Sequence, residues 1–186
     1  MEVGVRRVYP DAHTLLVPVA DGGDGTLEAL VGDPDEGGLN GQASGGRYFR
    51  TQVTGPLGDL VEAVWGVMPD GHTAVVELAR ASGLVLVPEV RREPRNATTY
   101  GTGELVRAAL DSGYRHIIVG LGGSATNDGG VGIAQALGVR FTDKEGEDLP
   151  VGGASLARLE AIDLKEMDTR LKECRIRAAT DVSNPL

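Results

Sequence analysis

One stretch of the sequence, VGLGGSATNDGGVGIAQALG at residues 119–138, restricts the possible folds more than any other. It overlaps the apolar run HIIVGL and leads into a segment in which Ile133, Ala134 and Leu137 recur at helical spacing. A short apolar run before a glycine turn is typical of a buried strand. The stretch therefore predicts a strand, a turn and a helix in succession, which is the repeating unit of α/β proteins.

The preceding half of the chain predicts further units of this kind and one hairpin. A helix is expected to end before Pro10, a strand to span 14–20, and another helix to follow the turn DGGDGT. Two alternating runs around GPLGD predict a β-hairpin. A further strand is expected over 73–79. Together these patterns indicate a sheet that carries both helical crossovers and a hairpin.

Helical spacing returns in GTGELVRAALDSG, where we expect Thr102 to cap the helix and Gly113 to end it. A last apolar strand runs into Asp181. The predicted fold class is α/β, with a mainly parallel sheet and helices in a Rossmann- or flavodoxin-like arrangement, plus part of a second, mixed α/β domain. Residues 1–45 are assigned to part of the first domain, and 46–186 to the second, which carries the glycine loop.

The composition favours a globular protein and argues against several classes of function. The 186 residues carry a formal net charge of −9, so a nucleic-acid surface, which needs clustered Lys and Arg, is not expected. No apolar run reaches the roughly 18 residues of a membrane-spanning helix, and no signal-peptide core is seen. We therefore expect a cytoplasmic location and no membrane partner. Cys174 is the single cysteine, so neither a disulfide nor a zinc site is expected.

Three turns built of small residues carry aspartates behind apolar strands. They are ADGGDGT with Asp21 and Asp24, GLGGSATNDGG with Asp128, and ATDVSNP with Asp181. In open α/β sheets the ends of the strands meet at one ligand crevice, and glycine lets the backbone approach a phosphate closely. Carboxylates there would repel a phosphate unless Mg²⁺ lay between them. The pattern favours phosphoryl or metal–nucleotide chemistry, although Gly and Asp also serve simply to build tight turns.

Two known phosphate motifs can be compared with these turns. The P-loop is absent, because none of Lys144, Lys165 and Lys172 follows a glycine loop. GLGGSA at 120–125 matches the G-x-G-x-x-A fingerprint of dinucleotide-binding proteins, with Asp143 at about the distance of a ribose-binding carboxylate. An NAD(P)-binding oxidoreductase domain is therefore an alternative. That fingerprint requires a helix that begins within the glycines, whereas TNDGG intervenes here.

The chain resembles the type I glycerate kinases through motifs spread along its length. These are VPVADGGDGTLEAL, VTGPLGDLVEAVWGV, TTYGTGELVRAALDSG, VGLGGSATNDGGVGIAQALGVRF and ATDVSNPL, in this order. The resemblance covers essentially the whole chain. It implies ATP-dependent phosphorylation of D-glycerate to a phosphoglycerate with Mg²⁺, in a cleft between two different α/β domains.

The resemblance also implies roles for residues of the three turns. Asp128 and Asp181 are the candidates for binding Mg²⁺ or for accepting the proton of the glycerate hydroxyl. Ser124 and Thr126 would donate to phosphate oxygens, and Asn127 would contact the ligands, cap the following helix, or do both. The residues expected to line the substrate and phosphate site are Asp21, Gly22, Gly23, Asp24, Gly122, Gly123, Ser124, Thr126, Asn127 and Asn184.

The sequence departs from the family pattern at both ends. Family members carry a PDSFKGS-like loop with an active-site lysine ahead of the position of Met1, and they continue beyond the final NPL. We therefore expect a truncated member that is inactive or unstable in isolation, because a cationic phosphate ligand is lacking and strand edges are uncovered. A second alternative is a non-catalytic interaction fragment that self-associates through those edges.

Overall fold

The computed structural model describes residues 2–15, 17, 19–32, 45–180 and 182. The helices are α1 (Glu2–Val8), α2 (Thr26–Val31), α3 (Leu78–Ser82), α4 (Tyr100–Asp111) and α5 (Val131–Ala136). The strands are β1 (Arg47–Thr54), β2 (Leu60–Val67), β3 (Thr73–Glu77), β4 (His116–Gly120), β5 (Arg140–Thr142), β6 (Ala161–Asp163) and β7 (Arg175–Ala179).

The main sheet has five strands in the order β1-β2-β3-β4-β7. β1 and β2 form an antiparallel hairpin in which Arg47 lies opposite Val67, and β2 is antiparallel to β3. β4 is parallel both to β3 and to β7. β5 and β6 form a separate antiparallel pair. The α/β class and the hairpin are confirmed, and the main sheet is mixed, with two parallel and two antiparallel pairings.

The hairpin owes its register to an aromatic pair and to its turn. Phe49 lies directly opposite Trp65, and their rings stack with centroids 4.4 Å apart. A pair of this kind stabilises one alignment of the strands over a shifted one. The connecting turn includes Gly58 at φ +89°, a conformation that side chains disfavour.

The apolar run of β3 is buried on both faces of the sheet. Ala74 and Val76 join the core formed with α4, which includes Leu105. Val75 points to the other face and packs with Leu27 of α2. Burial on both sides explains why β3 is a continuous apolar run and not an alternating one.

Glycines allow α4 and α5 to pack closely. A Cβ on Gly103 would lie 2.6 Å from the carbonyl oxygen of Ile133, and a Cβ on Gly132 would lie 2.5 Å from the backbone nitrogen of Tyr100. Both distances are too short for any larger residue. Part of the glycine content of the predicted phosphate region therefore serves helix packing.

Two local predictions are wrong. The described residues within 14–20 form no strand, and Leu15, Val17 and Val19 are exposed, because no described strand pairs with them. Thr102 lies inside α4, where its hydroxyl contacts that of Ser82, so it does not cap the helix.

Other predictions hold or stay open. α4 ends at Asp111, two residues before Gly113, which adopts φ +92°. Among the described residues, no helix combines the length and the hydropathy that a membrane crossing requires. The division of the chain near residue 45 stays a prediction.

Candidate phosphate-binding site

Two of the acidic turns meet at the carboxyl ends of β4 and β7. The N–H group of Gly122 donates to the carbonyl oxygen of Gly22 at 2.8 Å, and that of Leu121 donates to Ala179 at 3.1 Å. A Cβ on Gly122 would lie 2.5 Å from the Cα of Gly23, and one on Gly22 would overlap the carbonyl oxygen of Ala179. Only glycine fits at these contacts. The predicted convergence of the turns is confirmed for their described residues.

The third turn begins at this same point. Ala179 is the last residue of β7, and Thr180 follows it. Asp181 and Asn184, predicted as site residues, lie outside the described residues. Their roles stay predictions.

The Asp21–Asp24 turn carries open carboxylates. Asp21 accepts a hydrogen bond from the N–H group of Gly23 at 2.9 Å, which shapes the turn. Asp24 is exposed, and its carboxylate has no hydrogen-bond or ion-pair partner within the described residues. One of its oxygens would lie 3.6 Å from a Cβ on Gly123. Asp24 therefore faces the second glycine turn with its lone pairs available.

The segment from Gly122 to Thr126 presents several donors to solvent. The N–H groups of Gly123 and Ser124 have no acceptor within the described residues. The hydroxyl groups of Ser124 and Thr126 lie 2.7 Å apart, and Ser124 also accepts from the N–H group of Thr126 at 3.0 Å. We call this segment the donor loop. Exposed N–H and hydroxyl groups of this kind can bind phosphate oxygens.

The donor loop is held in place by the segment that follows β3. The N–H group of Leu84 donates to the carbonyl oxygen of Gly123 at 2.9 Å, and that of Ala125 donates to Ser82 at 3.0 Å. These bonds form a short antiparallel bridge between Gly83 and Ser124. The loop is thereby fixed, on both sides of its exposed centre, to the end of α3 and the residues after it.

Asp128 is buried and bonded, in contrast to Asp24. It is 1% exposed, and its carboxylate accepts from the N–H group of Thr99 at 2.9 Å and from the Thr99 hydroxyl. It also accepts from the N–H groups of Gly130 and Gly132, each at 3.1 Å. Thr99 stands at the start of α4 and Gly130 at the start of α5. One carboxylate therefore satisfies donors at the beginnings of two helices.

This arrangement removes the start of α5 as a phosphate site. The carbonyl oxygen of Asp128 accepts from Val131, and the Thr99 hydroxyl accepts from the N–H group of Ile133. The first donors of the helix are thus all occupied. The metal and catalytic roles predicted for Asp128 stay untested, and the observed bonds indicate a positioning role instead.

Asn127 does not cap α5. The capping position is Gly130, and the side-chain bonds at this helix start come from Asp128. Asn127 is exposed, and its side-chain oxygen would lie 2.6 Å from a Cβ on Gly153. The cap assignment was wrong because Asp128, one residue later, reaches both Gly130 and Gly132.

An ion-pair cluster around one buried glutamate, beside the Asp21–Asp24 turn, was not predicted. Glu77, 0% exposed at the end of β3, accepts from the N–H group of Leu27 at 2.7 Å and from Arg80 at 2.7 Å. Arg80 also pairs with Glu28 at 2.5 Å. Burial opposes the charge of Arg80, but bonds and charges from Glu77 and Glu28 outweigh it and raise the pKa of the guanidinium. The available signal was the glutamate inside the apolar run TAVVELA, since a buried carboxylate needs partners.

No preformed metal cluster exists among the described residues: no three His, Cys, Asp or Glu side chains there are placed so that they could hold a metal ion. Mg²⁺ does not need such a cluster, because one or two carboxylates and substrate phosphates suffice. Asp24, open and opposite the donor loop, fits that requirement. The dinucleotide-binding alternative is not supported, because α5 begins only at Val131, after the glycines of its fingerprint.

Comparison with known proteins agrees with the sequence motifs. The sequence model of the glycerate kinase family matches residues 1–186. The chain is 50% identical to glycerate 2-kinase of Escherichia coli K12 over 186 residues, which are 100% of this chain and 46% of that protein. It is 47% identical to a glycerate kinase of Haemophilus influenzae, again over 100% of this chain and 47% of the relative.

A solved structure has the same fold. A crystal structure from Salmonella typhimurium LT2, of a protein proposed to be glycerate kinase 2, matches with a TM-score of 0.82 and 49% identity. The match covers 99% of this chain and 47% of that one. The chain thus spans less than half the length of these relatives.

Proposed function

The chain belongs to the glycerate kinase family, and on that premise we propose that it supplies the phosphate-binding part of an enzyme that phosphorylates D-glycerate with ATP and Mg²⁺. The single observation that carries this proposal is the contact between the Asp21–Asp24 turn and the donor loop. It brings open donors and an open carboxylate together at the carboxyl ends of parallel strands, where α/β sheets bind their ligands.

The donor loop would hold the transferred phosphates. The N–H groups of Gly123 and Ser124 are available donors, and the hydroxyl pair of Ser124 and Thr126, which shares one hydrogen bond, can supply one more. Phosphoryl transfer depends mainly on positioning and on stabilising charge, and fixed donors meet both needs. Gly22, Gly23 and Gly122 contribute by letting the two turns touch.

Four aspartates would have separate tasks. Asp24 is our candidate for holding Mg²⁺ together with phosphate oxygens, and Asp21 shapes its turn. Bound Mg²⁺ would neutralise charge between phosphate oxygens. Asp128 would position the donor loop through α4 and α5. Asp181 keeps the predicted role of binding Mg²⁺ or accepting the glycerate hydroxyl proton, with Asn184 three residues later in the sequence.

A chimaera tests this proposal in a chain of full length. The 186 residues replace the matching part of the E. coli glycerate 2-kinase, and ADP release is followed with ATP and D-glycerate. We expect turnover that needs both substrates. Ser124→Ala should lower kcat/KM for ATP by about tenfold through loss of a phosphate donor. A folded chimaera without turnover would contradict the proposal.

Ser112→Ala provides the matched control. Ser112 is also an exposed serine, but it stands at the far end of α4, away from the donor loop. Its substitution should leave kcat/KM unchanged. Equal effects of the two substitutions would remove the donor loop from the mechanism.

A further inference from the structure

A cavity lies beside the donor loop and has no role in the function described so far. It encloses about 230 Å³. Its lining is mainly apolar, with Leu57, Leu84, Val87, Ala97 and Ala125 among its walls. Val87 and Ala97 are 5% and 2% exposed, and they form a fixed inner surface.

The cavity and the donor loop share part of their structure. Ala125 belongs to both, and the N–H group of Leu84 donates to Gly123 of the loop. A molecule in the cavity would therefore lie next to the exposed N–H and hydroxyl groups of Ser124. A ligand that extends from one into the other needs an apolar part and an anionic part.

One cation at this cavity has no partner in the part of the chain that the structure describes. Arg92 lines the cavity, is exposed, and forms no side-chain hydrogen bond or ion pair within the described residues. Its neighbours differ: Arg91 pairs with Asp59 at 3.1 Å, and Arg95 pairs with Glu93 at 2.9 Å. In a chain with a net charge of −9, an unpaired guanidinium at a cavity complements an anionic ligand.

The size and lining favour a flat ring system. Pockets that enclose drug-sized ligands measure roughly 300–1,000 Å³, so this smaller cavity suits one part of a larger molecule. Apolar walls such as Val87 and Ala97 exclude a bare carboxylate or phosphate, which would lose its hydration there. A guanidinium can stack on the face of an aromatic ring or pair with a phosphate.

We propose that this cavity is the subsite for the purine base of a nucleotide whose phosphates reach the donor loop, with Arg92 against the base or the first phosphate. The inference rests on the proposed function and deepens it. It also assigns a task to the loop's fixed attachment at Leu84, which keeps the base and phosphate subsites at a constant spacing.

Adjacent exposed residues provide a matched pair for the test. Leu84 lines the cavity and is 42% exposed, whereas Val85 is 76% exposed and does not line it. Leu84→Trp should fill the cavity and weaken ADP binding to this chain by about tenfold, the scale of losing one base contact. Val85→Trp should leave ADP affinity unchanged. Both variants should bind inorganic tripolyphosphate as the parent does, because the donor loop is untouched.

Arg92→Ala and Arg91→Ala form a second pair, in which only the first substitution changes a residue that lines the cavity. Arg92→Ala should weaken ADP binding severalfold, whereas Arg91→Ala should not. In the unsubstituted chain, adenosine should shift the methyl NMR signals of Ala97 and Ala125. This last measurement needs no substitution and so does not depend on the folding of a variant.

The outcomes separate the inference from the proposed function. Equal ADP affinity of the two tryptophan variants, or adenosine that leaves the Ala97 and Ala125 signals unmoved, overturns the base subsite. Tripolyphosphate binding without any adenosine binding also overturns it and leaves the phosphate site intact. Adenosine binding in the cavity, together with a folded chimaera that transfers no phosphate, supports the subsite and contradicts the proposed function.

Discussion

The two acidic glycine turns of the site have similar compositions and opposite structures. In TNDGG, Asp128 is 1% exposed, and its carboxylate accepts from Thr99, Gly130 and Gly132. In DGGDG, Asp24 is exposed and no described residue bonds to its carboxylate. A carboxylate whose lone pairs are occupied stabilises the fold, whereas an open one keeps them for a ligand. The two aspartates therefore look alike in the sequence, but their burial and the number of donors that reach each carboxylate distinguish their roles.

The largest expected effect on stability comes from removing the carboxylate of Asp128. Asp128→Ala leaves buried donors at the starts of α4 and α5 unsatisfied, and it should lower the free energy of unfolding by roughly 4 kcal/mol or more. Urea unfolding followed by circular dichroism measures this change. Asp24→Asn is the matched substitution at the open turn and should change stability by less than about 0.5 kcal/mol. Similar losses for the two would abolish the distinction between the turns.

The comparison extends to Glu77, a second carboxylate whose oxygens accept hydrogen bonds within the protein. Its bond from Leu27 holds the helix that follows the open turn. Glu77→Gln removes the charge of a buried carboxylate that pairs with the partly exposed Arg80, and it should cost about 2 kcal/mol of unfolding free energy. The partly exposed Glu28 is the control: Glu28→Gln should cost less than about 1 kcal/mol. Thermal unfolding of both variants checks the order. A larger loss for Glu28→Gln would contradict the assignment of Glu77 as the central member of the cluster.

Gly122→Ala tests the contact between the two turns. The added Cβ would lie 2.5 Å from the Cα of Gly23, so the turns must separate, at a cost of about 2 kcal/mol. Gly4→Ala is the control, because Gly4 lies in α1 with no atom near its Cβ position, and alanine favours helix. Urea midpoints should fall for the first variant only. An unaffected Gly122→Ala protein would show that the turns are not held together at this contact.

A third acidic turn tests exposure and the number of hydrogen bonds separately, because its Asp70 is partly exposed and yet accepts several hydrogen bonds. Asp70 is partly exposed; burial opposes its charge, but bonds from Thr73 and from the N–H group of His72 outweigh this and lower its pKa to about 2. Because the folded pKa lies below the ordinary 3.8, the stability it contributes is present above pH 4 and is lost as the pH falls towards 2.

The expected size of this effect is small because of the exposure. Between pH 5 and pH 2.5 the free energy of unfolding should lose about 1 kcal/mol more in the parent than in Asp70→Asn. If the free energy of unfolding depends on pH in the same way in the parent and in Asp70→Asn, the hydrogen bonds to this exposed carboxylate add nothing to stability.

Much of the fold was predictable because local periodicity and turn chemistry agree with it. The hairpin around GPLGD, the strand before the donor loop and the helix after it follow directly from the pattern. The strand predicted over 14–20 failed because an apolar run becomes a strand only where a neighbouring strand pairs with it, and none of the described strands does.

The site was predictable in location but not in the tasks of its residues. Apolar strands that end in glycine and aspartate place the turns at one edge of the sheet, and the contact between Gly22 and Gly122 bears this out. The burial of Asp128 depends on Thr99, which stands 29 residues earlier, and that of Glu77 depends on Leu27, 50 residues earlier. Such distant partners leave no local pattern in the sequence.

The most direct test of the account is the dependence of ADP affinity on Mg²⁺, measured by calorimetry for the parent chain and for Asp24→Asn. If the open turn holds the cation opposite the donor loop, Mg²⁺ should strengthen ADP binding to the parent by about tenfold or more and have little effect on the variant. An equal Mg²⁺ effect on both proteins would contradict the assignment of Asp24 and with it the division of tasks between the two turns.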